Sequence, residues 1–247
     1  QRVRFADLRM VFSAGEPSSA QFVEEMRGAF PRAELRTAYL TSEGGGAAAC
    51  ASGGADLLEN PGSAGKPIST AAVRVIDESR EDLVDREKGF VGEIALRAGS
   101  MSVGYWGAAA LTDARFVGGW WRSGDLGFVD ERGMLTIVGR SDNVINSGGL
   151  KVHAEEVEAA LMRHPQVRLA AVVGTPDETW GQRIEAFVVV DGTTTGDAIL
   201  DFCRDQGRLA AYKIPKMIHL RDSLPTGATG KVYRRGLVLR GTELGVG

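Results

Sequence analysis

A side chain that does chemistry must reach its ligand, and several charged residues of this 247-residue sequence stand beside glycine at the ends of short extended runs. In "TSEGGG" (41–46), Thr41 and Ser42 offer hydroxyls, Glu43 a carboxylate, and the glycines bare backbone. Such a set suits a phosphate with its Mg²⁺, with hydroxyl and backbone N–H groups on the anion and Glu43 on the metal; a polar surface loop is the plain alternative. In "WWRSGDLG" (120–127), Asp125 can accept two hydroxyl hydrogen bonds, as a carboxylate gripping a ribose does, or it can cap a turn. Arg140 and Asp142 in "GRSDN" (139–143) can pair with each other, a contact worth little on a surface. Lys231 ends "GATGK", which misses the phosphate-loop pattern because Pro225 stands where the first Gly belongs and Val232 where the hydroxyl belongs. A lysine on such a tether can still be delivered to a developing negative charge, or it can be a solvated surface lysine. "GGGAAA" (44–49) satisfies the weak dinucleotide fingerprint, but Glu43 would face the pyrophosphate.

The elements that must position these groups follow from hydrophobic spacing. "DLRMVFSAGE" (7–16) and "ELRTAYL" (34–40) read as strands, and "SSAQFVEEMRGAFP" (18–31) between them as an amphipathic helix with Ser18 or Ser19 as N-cap. A strand–helix–strand unit builds parallel sheet, whose ligands sit at the carboxyl ends of the strands. Here those ends carry "SAGEP" and "YLTSEGGG". From Pro61 to Val138 short alternating runs predict a small antiparallel sheet or barrel, with "DERG" (130–133) as a hairpin turn. After Asn143, "AEEVEAALMRHP" reads as helix, "VRLAAVVG" and "IEAFVVV" as strands, "GDAILDFCRDQ" as helix and "KMIHL" as strand. The expected fold class is α+β and multidomain. It comprises the strand–helix–strand end of a larger N-terminal domain (1–60), a small antiparallel β-barrel-like subdomain (61–141) and a mobile C-terminal α+β domain (142–247).

With 43% hydrophobic and 25% charged residues the chain can bury a core, and a net charge of −3 gives no global reason to bind nucleic acid. The longest apolar runs are too short to span a bilayer, and "QRVRFADLRM" has no signal-peptide core, so the expected compartment is the cytoplasm. Cys50 and Cys203 are isolated and read as free thiols; the three histidines show no ligand spacing, so no structural metal is expected. A first residue of Gln followed at once by a buried strand suggests a fragment.

In order, "SAGEP", "YLTSE", "PGSAGKP", "GEIALRAGSMSVGYWG", "WWRSGDLG", "GRSDNVINSGG" and "LPTGATGK" resemble the adenylate-forming enzyme superfamily, and within it the acyl-CoA synthetases. The resemblance runs from about Leu8 to Leu237 and covers the carboxy-terminal half or so of that family's usual chain. It implies an enzyme using ATP, Mg²⁺ and coenzyme A, in which a carboxylic acid attacks the α-phosphate and CoA thiol then displaces AMP. By the same resemblance Gly15, Glu16 and Pro17 line the adenine, Tyr39 stacks on it, Ser42 binds phosphate and Glu43 holds Mg²⁺. Asp125 then grips the ribose, Arg140 contacts ribose or phosphate, and Asp142 is the hinge. Gly148 and Gly149 face the pantetheine channel, and Lys231 is the catalytic lysine of the first half-reaction. Leu40 departs from the family's Gly, and Ala154 from a common Pro. The family's phosphate loop and most of its acyl pocket lie upstream, so this polypeptide alone is expected to lack full activity. The implied substrate is a fatty or similar hydrophobic carboxylic acid, and a homodimer is compatible with the pattern. The alternatives are an amino-acid or aryl-acid adenylating domain that loads a carrier protein, and a non-catalytic nucleotide-binding or interaction module. A dinucleotide-dependent oxidoreductase is more remote.

Overall fold

Two apolar strands joined through one helix can pair in parallel only by a crossover. The computed structural model describes residues 7–15, 18–45, 48–77, 88–206, 209–227, 231–234 and 236–237. In it β1 (Met10–Ala14) and β2 (Glu34–Leu40) are parallel, from Met10↔Glu34 to Ala14↔Ala38, with α1 (Ala20–Ala29) between them. Ser19 is the cap, its hydroxyl accepting from Phe22 N at 3.0 Å. Val23 and Met26 of α1 pack on Val11, Leu35 and Leu57, which closes the unit over one face of the strands. Gly15 and Leu40 therefore lie together at the carboxyl end of the pair.

The chain then doubles back through β3 (Ala48–Gly53), α2 (Gly54–Glu59), β4 (Ser63–Pro67), β5 (Ala71–Ile76) and β6 (Gly92–Ala98). After these come α3 (Ala109–Arg115), β7 (Phe116–Val117), β8 (Trp120–Val129) and β9 (Leu135–Arg140). Their sheet order is β1-β2-β3-β4-β9-β8-β6-β5, with β7 on β8. The antiparallel pairing expected after Pro61 is present, but among the described residues the path is open at β1 and β5 and no barrel closes. The path stays open because of the splice at β4, which pairs with β3 through Cys50↔Pro67 and Ala51↔Lys66 and with β9 through Ser63↔Thr136 and Gly65↔Leu135, so that it continues the line of strands. Gly65 makes the splice possible, since its φ is +93° and a Cβ there would lie 2.0 Å from the Ala51 carbonyl. The "DERG" turn forms as read: Asp130 Oδ1 accepts from the backbone of Arg132 (2.9 Å) and Met134 (2.8 Å), an Asx turn joining β8 to β9.

Tertiary packing divides the chain into two compact units, residues Gln1–Val138 and Gly139–Gly247. In the second, a 3₁₀ turn (Ser141–Asn143) leads into β10 (Val144–Ser147), β11 (Leu150–His153), α4 (Ala154–Leu161), β12 (Val167–Asp177) and β13 (Gly181–Val190). There follow α5 (Gly196–Asp205), a 3₁₀ turn (Ala211–Lys213) and β14 (Met217–Leu220). The sheet runs β11-β10-β13-β12, with β14 parallel to β13. Val172, Ile184, Ala186 and Val188 pack on Val157, Leu161, Ile199 and Cys203 of the two helices. Ala171, Val173, Phe187 and Val189 point the other way, onto Leu224, Val232 and Leu237. Burial on both faces explains why these strands read as continuous apolar runs and not as alternation.

Gly65→Ala is expected to weaken the first unit by about 2 kcal/mol or more, because a left-handed backbone and a backbone clash coincide. Gly62→Ala, where a Cβ would meet nothing within 4 Å, is expected to stay within about 0.5 kcal/mol. Urea midpoints of the two variants measure the difference.

Candidate active site

The first group assembles where β2 meets β8. Tyr39 is buried among Cys50, Ile94, Leu96, Trp121 and Leu135, and its hydroxyl donates to Asp125 Oδ2. Asp125 owes its position to a break in the ladder. Between the pairs Ala95↔Arg122 and Glu93↔Leu126, β6 contributes Ile94 alone while β8 contributes Ser123, Gly124 and Asp125. That is a bulge, centred on Gly124 at φ +73°. Two of its backbone amides are held by side chains. Ser123 Oγ donates to Ile94 O (2.7 Å) and accepts from Asp125 N (3.0 Å), and Gly124 N donates to Glu93 Oε1 (3.0 Å). Glu93, 3% exposed, is in turn held by Arg122 Nε at 2.9 Å.

A second group surrounds Glu43 in the turn after β2. Thr41 Oγ1 accepts from Gly44 N at 3.0 Å, so one of the two hydroxyls of "TSEGGG" serves the turn itself. Ser102 N donates to Glu43 O (2.7 Å) and Ser100 Oγ to Gly44 O (2.7 Å), which clamps the turn to the segment after β6. Glu43 Oε1 accepts from the Tyr105 hydroxyl at 2.9 Å, and that oxygen accepts from Trp121 Nε1 at 3.0 Å. Burial pushes the Tyr105 phenol above its ordinary range; the bond and charge of Glu43 push the same way, while Trp121 and Arg115 oppose them. Trp121 thus belongs to the buried cluster around Tyr39 and reaches Tyr105 with its nitrogen, joining the two groups. Neither Tyr105 nor Trp121 was singled out by residue type, although "GYWG" and "WWRSG" are the segments that carry them.

Gly15 follows β1 with φ +98°; Glu16 and Pro17 lie outside the described residues. Ser42 is exposed beside Glu43.

In the second unit Arg140 ends β9 and is exposed, and Asp142 is exposed in the 3₁₀ turn. Gly148 and Gly149 have φ +58° and +80° and form the two-residue turn of the β10–β11 hairpin. A Cβ on Gly148 would lie 2.6 Å from the Trp180 ring. Lys231 is exposed at the base of a small closure: its carbonyl accepts from Gly227 N (2.8 Å), Val232 bridges Thr226, and Tyr233 N donates to Pro225 O (2.8 Å).

Removing the Tyr105 hydroxyl leaves both Trp121 Nε1 and Glu43 Oε1 without this partner. Tyr105→Phe is expected to cost about 1–3 kcal/mol in urea unfolding, the scale of a buried polar group left unpaired. A change within error would mean that water replaces the hydroxyl.

A family profile described as AMP-binding enzyme matches residues 1–106, and one described as AMP-binding enzyme C-terminal domain matches residues 156–231. The chain is 36% identical over 180 residues to a 2-succinylbenzoate–CoA ligase of Bacillus licheniformis, covering 73% of this chain and 36% of that protein. It is 34% identical over 183 residues to a long-chain-fatty-acid–CoA ligase of Escherichia coli, covering 74% of this chain and 32% of that one. The chain therefore spans about a third of the length of these curated relatives. The solved o-succinylbenzoate CoA synthetase of Bacillus subtilis, in complex with its acyl-adenylate intermediate, superposes with a TM-score of 0.84 at 30% identity. That match covers 93% of this chain and 46% of the other. Among the described residues no helix is long and apolar enough to cross a membrane. With both of its domain profiles matched in order and its motifs mounted on the strands described above, the chain belongs to the adenylate-forming superfamily of AMP-binding enzymes.

Proposed function

We propose that the protein is an ATP-dependent acid:CoA ligase that forms an acyl-adenylate and then an acyl-CoA thioester, acting on a fatty or other hydrophobic carboxylic acid. The observation that carries this is the joining of Tyr39 to Asp125 beside Glu43, at the carboxyl end of a parallel strand pair. An aromatic ring, a carboxylate that accepts from hydroxyls and a second carboxylate on a clamped turn are what a nucleotide with its metal requires. On this reading Gly15, Glu16 and Pro17 line the adenine and Tyr39 stacks on it. Asp125 accepts from the ribose hydroxyls, and Ser42 and Arg140 contact phosphate or ribose. The donor set suits Mg²⁺, which takes one or two carboxylates together with phosphate oxygens and water. Glu43 would hold it, with Tyr105 fixing the carboxylate, and the ion would supply charge to the phosphates. The named relatives act on an aromatic and on an aliphatic acid, which supports a hydrophobic acid as the class. Gly148 and Gly149 then face the pantetheine arm of coenzyme A.

Attack of a carboxylate on the α-phosphate brings two anions together, so a cation that reaches both matters most in that transition state. Lys231 fills this role. In the full-length protein, Lys231→Ala is expected to lower acid-dependent pyrophosphate exchange by about a hundredfold or more. CoA attack on a supplied acyl-adenylate should be nearly unchanged, and so should stability, because the residue is exposed. Exchange at the wild-type rate would remove the catalytic role and leave a surface lysine.

Asp142 is proposed as the hinge between the two half-reactions, its backbone changing between two states. Proline at this position fixes φ, so Asp142→Pro is expected to hold one orientation and to reduce the adenylation and thioester steps by unequal factors. Equal loss in both would count against a hinge.

A further inference from the structure

Lys231 lies on a stretch that is glycine-rich on one side and tied down on the other. Three residues after it, Arg234 makes a bidentate contact with Glu158 of α4: Nε donates to Oε1 at 3.0 Å and Nη2 to Oε2 at 2.7 Å. Glu158 is 9% exposed and also accepts from Val172 N at 2.8 Å. That amide belongs to β12, an edge strand of the sheet, which has no ladder partner on one side among the described residues. Burial pushes the Glu158 carboxyl above its ordinary range, and Arg234 and the Val172 amide pull against it.

The contact does not stop at Glu158. Nη2 of Arg234 lies 3.8 Å from Glu155 Oε1, one helical turn earlier, and that oxygen accepts from Asn143 Nδ2 at 2.6 Å. Gly139 comes so close that a Cβ on it would lie 2.4 Å from Glu155 Oε2. Glu155 Oε2 is buried and has no hydrogen-bond partner among the described residues. A line of contacts thus runs from the segment that holds Asp142, through Glu155, to the arginine that anchors the Lys231 closure. On the opposite side, Val232 and Leu237 pack on Phe187 and its neighbours, so the segment is gripped from two directions.

We propose that Arg234 is a positioning residue for Lys231. Its hold on Glu158, extended by Glu155 to Asn143, keeps the lysine-bearing closure registered to the joint about which the second unit turns. The proposal rests on the adenylation reading of Lys231. Three residues of extended chain reach at most about 10 Å, so with Arg234 fixed the Lys231 backbone cannot wander as the transition state forms. With Arg234 free, the closure must be ordered at the same moment, and displacement of a reacting group by about 1 Å costs up to a hundredfold. Lysine in place of arginine keeps the charge but loses the two-pronged geometry.

The test is run in the full-length protein. Arg234→Ala is expected to lower the maximal rate of acid-dependent pyrophosphate exchange by about ten- to a hundredfold. The KM for ATP should stay within about twofold, and CoA attack on a supplied acyl-adenylate should be nearly unchanged, since neither needs the lysine delivered. Arg234→Lys should recover part of the loss. Because Arg234→Ala leaves Glu158 buried without its cation, a second variant, Glu158→Gln with Arg234→Met, removes the pair together while its glutamine still accepts from Val172 N. It should show the same selective loss of exchange, with faster amide exchange at Tyr233 and unchanged protection in α5, which reports the fold. Lys231→Ala is the control that separates the two readings. If it leaves pyrophosphate exchange intact, the adenylation role of the lysine fails. If it abolishes exchange while the paired variant exchanges at the wild-type rate, or loses both half-reactions by equal factors, only the positioning role of Arg234 fails.

Discussion

The hydrogen bond from the Tyr39 hydroxyl to Asp125 joins residues 86 positions apart, and most of the first unit can be understood as what is needed to make it. Tyr39 stands on β2, which pairs in parallel with β1, and Asp125 on the antiparallel β8, so an adapter must carry the sheet from one to the other. β3 and β4 are the adapter. Small side chains at Ala49, Cys50 and Ala51 let the backbones approach, and Gly65 takes the left-handed conformation at the point of closest contact. The bulge in β8 then releases Asp125 from its ladder. Without the splice the tyrosine would have no neighbour from the later strands, and without the bulge the aspartate would be one more residue in a regular strand.

The elements with a strong apolar run or helical spacing of their own were legible in the sequence. β2 reads as Glu34–Leu40 and is observed at those residues, and α5 begins on Thr195, whose hydroxyl accepts from Ala198 N as an N-cap should. Elements held by tertiary context were not legible. β3 is built from alanine, cysteine, serine and glycine, with no alternation to read, and α2 is six residues long with no side-chain cap. The β10–β11 hairpin does carry a signal, the pair Gly148–Gly149 between the short runs Val144–Ser147 and Leu150–His153. The site divides in the same way. Glu43, Asp125 and Lys231 could be picked out by type and neighbours, but the Tyr105 hydroxyl reaches Glu43 across 62 positions, and no local pattern encodes that.

The chemistry proposed here separates groups needed throughout from groups needed once. The aromatic ring and the two carboxylates belong to the first unit, where they are fixed by the sheet, the clamp at Ser100 and Ser102, and the Trp121 bridge. Arg140 and Lys231 belong to the second. In the proposed chemistry the cation is needed while two anions are brought together and not while the thiol attacks the acyl carbon, so it can be carried by a separately folded unit. That argument concerns charge alone and does not depend on the identity of the acid.

Two of the buried carboxylates, Glu93 and Glu158, each accept from a backbone amide, and their role is geometric more than stabilising. Glu93 accepts the Gly124 amide at the bulge and is matched by Arg122; Glu158 accepts the Val172 amide at the sheet edge and is matched by Arg234. Replacing such a pair by apolar residues is often neutral or favourable, whereas removing one partner is costly. Hydrophobic substitutes would therefore hold these units together equally well, but they offer no acceptor for an amide left out of its ladder. In each case the carboxylate sits beside a candidate functional residue: Glu93 supports the kink that presents Asp125, and Glu158 anchors the segment that carries Lys231. These two ion pairs each hold a backbone amide near a residue of the proposed chemistry, and a core optimised for stability alone would have no reason to keep either.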